Sequence, residues 1–313
     1  MKKKDKKDLI GRRDFIKGTA LTTLGLTLGI NSFDLVSALA QDNLEFPELA
    51  VVNSGSPAEL TRKAVDLIGG MKRFVSKGDV VVVKPNIGWD RKPEQAANTN
   101  PEVVAEVVKL CFEAGAKKVK LFDRPCNTAS RCYNRSGIKK AATDAGAEVS
   151  FVVDSGFVKT KLPEGVELKS WWLYKPALDA DVLINVPIAK HHGLTRVTLG
   201  MKNLMGIMGG NRGQVHWNID AKLADLTYYV KPDLTILDAV RVLVRNGPQG
   251  GNLNDVKRMD TIIAGENIAT VDAYGASLFG IKPEELEFIK IGNELGLGEI
   301  DLDKIRMEKL SLS

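Results

Sequence analysis

Short runs of Val, Ile and Leu recur along the chain at 49–52, 80–83, 118–122, 149–153, 182–186, 234–237 and 261–264. Most are apolar on both parities and too short for a helix, the pattern of strands buried on both faces of a parallel sheet. Segments of helical period lie between them. Ser56-Pro57-Ala58-Glu59 forms a capping box with proline at the first helical position, and Gly69-Gly70 supplies the stop. Asn100-Pro101 opens a second helix whose Val103, Val107, Leu110, Cys111 and Ala114 share one face, with Gly115 just past its end. Further helices are predicted at 138–145, 220–230, 268–279 and 283–295. The repeated β-α order predicts an α/β fold with a doubly wound, mostly parallel, Rossmann-like sheet, in one domain or two closely packed lobes. Residues 154–180 and 239–259 break the alternation and are predicted as loops, hairpins or a small excursion beside the sheet.

Charge changes the picture at one end. The 313-residue chain carries 44 Lys and Arg against 39 Asp and Glu, but residues 1–40 hold eight of the basic residues and four of the acidic ones. The remainder is nearly neutral. Gly11-Arg12-Arg13-Asp14-Phe15-Ile16-Lys17 resembles a twin-arginine export motif, followed by the apolar stretch 18–30 and by Ala38-Leu39-Ala40 before Gln41. That stretch falls short of the roughly 18–20 residues that span a bilayer. Residues 1–40 are therefore read as a twin-arginine signal peptide and residues 41–313 as the α/β domain, exported and periplasmic or extracytoplasmic after cleavage near Ala40-Gln41. The export machinery is the first predicted partner, and no stable membrane span is expected after processing.

Several chemistries are excluded. Three cysteines and no CxxC cannot supply a four-thiolate iron–sulfur cluster. GxSxG, HExxH, Walker A and GxGxxG are all absent. A nearly neutral mature chain with 6% aromatic residues gives no sign of nucleic-acid recognition. Cys126 and Cys132, six positions apart in a predicted loop, can pair in an oxidising compartment.

Ligands of open parallel sheets bind beyond the carboxyl ends of the strands, and the residues there are unusually polar. Lys84-Pro85-Asn86, Asp123-Arg124-Pro125, Asp154, Lys190-His191-His192 and Asp238 each follow an apolar run. Turn-making accounts for Asp123 and Asp154 equally well; Lys84 and Lys190 have little turn value and point to a ligand. A glycine-rich stretch from Gly193 to Gly213 adds Arg196, Lys202 and Arg212, which suit an anionic group, although a plain connection explains it as well. All three histidines, His191, His192 and His216, fall within 26 residues. Neighbours in a strand point to opposite faces, so a divalent metal would take one of the pair with His216 and Asp238.

Val83-Lys84-Pro85-Asn86, Asn100-Pro101, the run from Asn185 to His192 with Thr195, Thr198 and Lys202-Asn203-Leu204-Met205-Gly206, then Ile236-Leu237-Asp238-Ala239, Gly247-Pro248 and Val271-Asp272-Ala273 together resemble the domain-of-unknown-function family numbered 362. The resemblance covers about 48–295. It implies no assigned activity; many members carry a ferredoxin-type module, which this chain lacks, so an iron–sulfur cluster is not expected from it alone. The leading expectation is an exported protein binding a small anionic ligand or cofactor, whether or not it is an enzyme. Lys84, Asn86, Asp123, Lys190, Thr195, Lys202 and Asn203 would line the crevice, with His191 moving a proton and Asp238 orienting it. The alternative is a non-catalytic accessory protein, either metal-binding through His191, His216 and Asp238 or a partner of an exported redox protein.

Overall fold

A computed structural model of the protein describes residues 46–312. The signal-like segment and the Ala40-Gln41 boundary lie outside the described residues. Strands are β1 (Leu49–Asn53), β2 (Val80–Pro85), β3 (Lys118–Leu121), β4 (Glu148–Val149), β5 (Phe157–Lys161), β6 (Ser170–Tyr174), β7 (Val182–Val186), β8 (Ile188–His192), β9 (Arg196–Thr198), β10 (Leu234–Leu243), β11 (Val256–Gly265) and β12 (Met307–Ser311). Helices are α1 (Pro57–Leu67), α2 (Pro101–Glu113), α3 (Ala129–Arg135), α4 (Ile138–Asp144), α5 (Lys175–Leu178), α6 (Gly200–Asn203), α7 (Ile219–Val230), α8 (Ile268–Ser277) and α9 (Glu287–Glu294).

The local signals act as their chemistry dictates. The Ser56 side chain accepts from the Glu59 backbone N–H while Glu59 returns a bond to the Ser56 N–H, closing the box that starts α1. Asn100 caps α2 through the Glu102 N–H, and Gly115 turns the chain away at φ 105°.

The main sheet runs β12-β1-β11-β10-β7-β2-β3-β4. Its β10-β7-β2-β3-β4 half is parallel throughout, β11 lies antiparallel between β1 and β10, and β12 runs parallel to β1. Helices cover both faces. Val81 and Val83 of β2 pack with α1, α2 and α4 on one side. On the other, Leu237 and Ala239 of β10 pack with α7, α8 and α9. Also on that side, Val82 of β2 meets Leu183 of β7, Phe122 and Tyr174. This two-sided burial is what the uninterrupted VVVV run encodes. From β2 the chain steps outward to β3 and β4, then returns to lay β7 on the opposite side of β2. The strand order reverses there, the usual location of a ligand crevice.

Some expected boundaries move. The run 149–153 contributes only Val149 to a strand, because β3 ends at Leu121 and nothing remains for residues 151–153 to pair with. Phe151 instead sets its ring edge-on to Tyr133, 5.0 Å between centroids. Residues 239–259 form a hairpin: β10 runs on to Leu243 and β11 starts at Val256, with a register shift between Ala239 and Arg241 and a loop over 244–255. The 154–180 excursion is a hairpin, β5 against β6, followed by α5. Cys126 is exposed, Cys132 is buried on α3, and both are free thiols here. Among the described residues, no helix is long and apolar enough to cross a membrane.

Candidate functional site

The site lies at the carboxyl ends of β2 and β3, at the strand reversal. Pro187 interrupts the run that begins as β7, and β8 continues it alongside β10, pairing Ile188 with Asp238 and Lys190 with Leu243. The β8 hairpin with β9 then brings the chain back to α6. The buried Asp272 of α8 accepts the Gly200 and Met201 N–H groups (2.6 and 2.9 Å), capping α6 although 72 residues away in sequence.

Strand parity sorts the three residues at the end of β8. Lys190 and His192 face a cavity of about 380 Å³, whereas His191 does not line it. The Nδ1 of His191 instead accepts the Gly247 N–H at 3.1 Å. The same cavity is lined by Asn86, Trp89, Asp123, Arg124, Cys126, Thr198, Lys202, Asn203, Arg212 and His216, among others.

A chain of amides connects two buried lysines, one at the cavity and one behind it. The Lys190 ammonium donates to the Ala97 carbonyl (2.5 Å) and to Asn86 Oδ1 (3.1 Å). Asn86 Nδ2 donates to Asn203 Oδ1 (3.0 Å), which also accepts from Lys84 Nζ (3.3 Å). Asn203 Nδ2 in turn donates to the Lys84 carbonyl and to Asn185 Oδ1. Lys84 is fully buried, does not line the cavity, and pairs with Asp123 at 2.9 Å. The other oxygen of Asp123 accepts the Ile87 N–H at 2.6 Å. Gly206 packs directly on this pair: a Cβ there would lie 1.7 Å from Asp123 Oδ1 and 2.6 Å from Lys84 Cε. Lys84 and Asp123 thus form a buried ion pair behind the cavity, with Asp123 at its wall.

The remaining cations of the wall have no such counter-ion among the described residues. Lys202 Nζ finds only the thioether of Met205, at 3.1 Å. Arg212 spends its two terminal nitrogens on the Arg124 and Pro125 carbonyls, and Arg124 donates to the Met208 and Gly210 carbonyls. The protonation equilibria register the crowding. Burial, reinforced by Lys202 and Lys84, lowers the Lys190 pKa to about 7. Burial, with Arg212, brings Lys202 to about 8. His192 falls to about 3 through burial and then the positive charges of Lys202 and Lys190. His216 and Arg124 shift in the same direction, burial leading in both. Each of these groups would hold its proton more firmly with an anion among them.

His192 is fixed in one tautomer. Its Nδ1 accepts from the backbone N–H groups of Leu194 (3.1 Å) and Thr195 (3.4 Å), so the neutral ring carries its proton on Nε2. Thr195 serves that turn, and its hydroxyl donates to the Val197 carbonyl, so it holds His192 rather than lining the cavity. Thr198 does line it, with a buried hydroxyl that has no hydrogen-bond partner.

The expected metal set does not assemble. Asp238 is buried away from the cavity, where its two oxygens accept the Asn100 N–H (2.7 Å) and the Val240 N–H (2.9 Å). Burial raises its pKa to about 6 against those bonds. It ties β10 to the start of α2 and neither orients His191 nor joins His216. Among the described residues no group of three or more His, Cys, Asp or Glu is placed to hold a metal. Of the expected residues, Asn86, Asp123, Lys190, Lys202, Asn203 and His216 line the cavity; Lys84, Thr195, His191 and Asp238 do not. Expectation from sequence gave the ligand-facing role to His191, with His192 only as an alternative metal ligand, and did not single out Arg124, Cys126 or Thr198 for the crevice. The signal for His192 was present in the two-residue period shared with Lys190.

The chain belongs to the family described as Domain of unknown function (DUF362), whose profile matches residues 81–277. A curated relative, the thylakoid-associated protein sll1697 of Synechocystis sp. (strain ATCC 27184 / PCC 6803 / Kazusa), is 28% identical over 257 residues, covering 78% of this chain and 76% of the relative. Among solved structures, the lactate racemase apoprotein from Thermoanaerobacterium thermosaccharolyticum is similar at a TM-score of 0.47 and 12% identity over 73% of this chain. A protein from Thermotoga maritima is similar at a TM-score of 0.44 and 11% identity over 72%. The matches span 56% and 60% of those two chains.

Proposed function

We propose that this member of the family binds a small anionic ligand, a carboxylate or phosphate, in the cavity at the β2/β7 reversal. The observation that carries the reading is the charge balance of the wall. Lys190, Lys202, Arg124 and Arg212 line it together, and the carboxylate among the lining residues, Asp123, is already paired with Lys84. Positive groups held in a part-buried cleft without counter-ions are stabilised by an incoming anion, which replaces the water they lost. Thr198 adds an unspent hydroxyl, and His192 presents a neutral Nε2–H donor to the same space.

Calorimetric titration with phosphate, pyruvate and citrate tests this. Binding of at least one is expected, weakened about tenfold by Lys202→Met and again by Arg212→Met, each worth a charge-assisted hydrogen bond. The melting temperature should hardly move with Lys202→Met, whereas Arg212→Met should lower it by loss of the bonds to the Arg124 and Pro125 carbonyls. Binding unaffected by both substitutions would overturn the assignment.

We propose further that the protein works outside the cytoplasm, delivered by the twin-arginine route. The motif from Gly11 to Lys17 and the apolar stretch after it support this, and the thylakoid association in the name of the Synechocystis relative accords with a membrane-linked destination. A folded reporter fused behind residues 1–45 should be exported, and Arg12→Lys with Arg13→Lys should retain it inside the cell.

A further inference from the structure

We propose that Lys190 is a nucleophile that forms an iminium with the carbonyl group of an anionic ligand, so that the cavity takes oxo acids or carbonyl phosphates. This rests on the anion-binding reading and names the ligand class for it.

The argument begins from a comparison of two lysines in one hydrogen-bonded network. Lys84 and Lys190 are both buried to within 1%. Lys84 is surrounded: Asp123, the Pro85 carbonyl and Asn203 Oδ1 all lie within 3.3 Å of its nitrogen, and it does not reach the cavity. Burial lowers the Lys84 pKa as it does that of Lys190, but at Lys84 the Asp123 carboxylate opposes the shift and occupies the nitrogen. Lys190 lines the cavity and has two neutral acceptors, the Ala97 carbonyl and Asn86 Oδ1, with no carboxylate among the described residues within 4 Å.

Two acceptors match the neutral form of the side chain. An amine nitrogen is tetrahedral, with one bond to Cε, two N–H bonds and a lone pair. Ala97 and Asn86 take two N–H bonds, so the one direction left open at the nitrogen carries a third N–H in the ammonium and the lone pair in the neutral amine. The depressed pKa agrees, so a substantial fraction of this amine is unprotonated at neutral pH. Lys202, with its pKa at about 8, keeps most of its charge at neutral pH and, with Arg212 in the same wall, can seat a carboxylate or phosphate.

The step balances without a redox partner. The Lys190 nitrogen pair attacks the carbonyl carbon and the C=O π pair moves to oxygen. One amine proton passes to that oxygen, giving a neutral carbinolamine. A second proton, from solvent, lets the hydroxyl leave as water as the C=N bond forms, and the neutral His192 Nε2–H serves only as a hydrogen-bond donor. The sum is amine, carbonyl and proton giving iminium and water. The product restores at Lys190 the single positive charge that its ammonium form carries.

The test uses the full chain with pyruvate and sodium borohydride, which reduces an iminium to a stable secondary amine. Pyruvate binding is followed by calorimetry in parallel, without reductant. The intact mass should rise by one reduced pyruvyl group, and peptide mapping should place it on Lys190. Labelling should reach half its plateau rate near the Lys190 pKa of about 7, where surface lysines, titrating near about 10.4, are unreactive. Acetone, which lacks the anion, should label Lys190 far more slowly. Lys190→Met should bring the adduct to background, and because mapping is done on the wild-type chain the result stands even where that variant folds poorly.

Pyruvate that binds without an adduct on Lys190 overturns this inference and leaves the anion site standing. An adduct confined to other lysines also overturns it. Neither binding nor adduct with pyruvate overturns it too, and anion binding in that case rests on phosphate and citrate alone.

Discussion

The ammonium of Lys84 lies 2.9 Å from Asp123 Oδ1, and both side chains are buried, Lys84 behind the cavity wall and Asp123 in it. Taking both charges from water is expensive, and their mutual attraction offsets that cost only while both remain. Lys84→Met should therefore destabilise the fold by about 3 kcal/mol in urea denaturation, since it strands a buried carboxylate. Lys84→Met combined with Asp123→Asn should recover much of the loss. An additive double variant would show that the two groups do not act as a pair.

Gly206 bears on the same pair. Gly206→Ala would press a methyl group into Asp123 and Lys84, so a loss of about 2–3 kcal/mol is expected from overpacking alone. Gly210, whose added Cβ would come no closer than 3.5 Å to Trp172 Cδ1, shows whether the effect is contact or backbone freedom. Its φ of 60° should make Gly210→Ala cost only about 1 kcal/mol.

Anion affinity should fall as pH rises through about 7 and then about 8. The sign follows from the two lysines: the protonated forms attract the ligand, and Lys190 and Lys202 lose their protons in that range. A bound anion favours the charged forms, so binding takes up protons and the midpoints move upward. Calorimetry in two buffers of different ionisation enthalpy measures the uptake. A pH-independent affinity across pH 6–9 would show that neither lysine contacts the ligand. Iminium formation has the opposite requirement at Lys190, so trapping with pyruvate should be most efficient between the two midpoints, where Lys190 is largely neutral and Lys202 largely charged.

His192 should remain neutral and Nε2-protonated from about pH 4 upward, because its pKa is lowered to about 3 and two backbone N–H groups occupy Nδ1. Long-range ¹⁵N–¹H correlation spectra distinguish the tautomers directly. An Nδ1–H signal, or a ring that titrates near about 6.5 as free histidine does, would remove His192 as a neutral donor.

Thiol chemistry should separate the three cysteines. Cys126 is exposed and should react with a disulfide reagent in the native protein. Cys111 and Cys132 are buried, and burial pushes both thiols up, Cys132 to about 11. They should react only on unfolding. One fast and two slow equivalents are expected; no fast equivalent would mean that Cys126 is covered.

The fold was legible where a local pattern has a local cause. The VVVV run of β2 and the caps at Ser56 and Asn100 appear as read, because two-sided burial and orphan N–H groups at a helix start are satisfied by near neighbours. The pattern failed where pairing depends on a distant partner. Residues 151–153 have strand composition but no strand beside them, and β12 forms because β1 offers an edge to it.

The sequence by itself determined the α/β architecture, the polar character of the strand ends and a site built from lysines, asparagines and a histidine. Composition and two- and four-residue periods encode those properties, and they need no knowledge of what meets what. Only the tertiary structure decided the division of labour among residues of the same kind. Lys84 and Lys190 read alike in sequence, as do His191 and His192. Asp123 closes on one lysine from 39 residues away, and strand parity turns one histidine to the cavity and the other to Gly247. Asp238, polar and at a strand end like the others, is spent on holding α2. Electrostatic role depends on the nearest charges and on access to water, and both are properties of the packed chain.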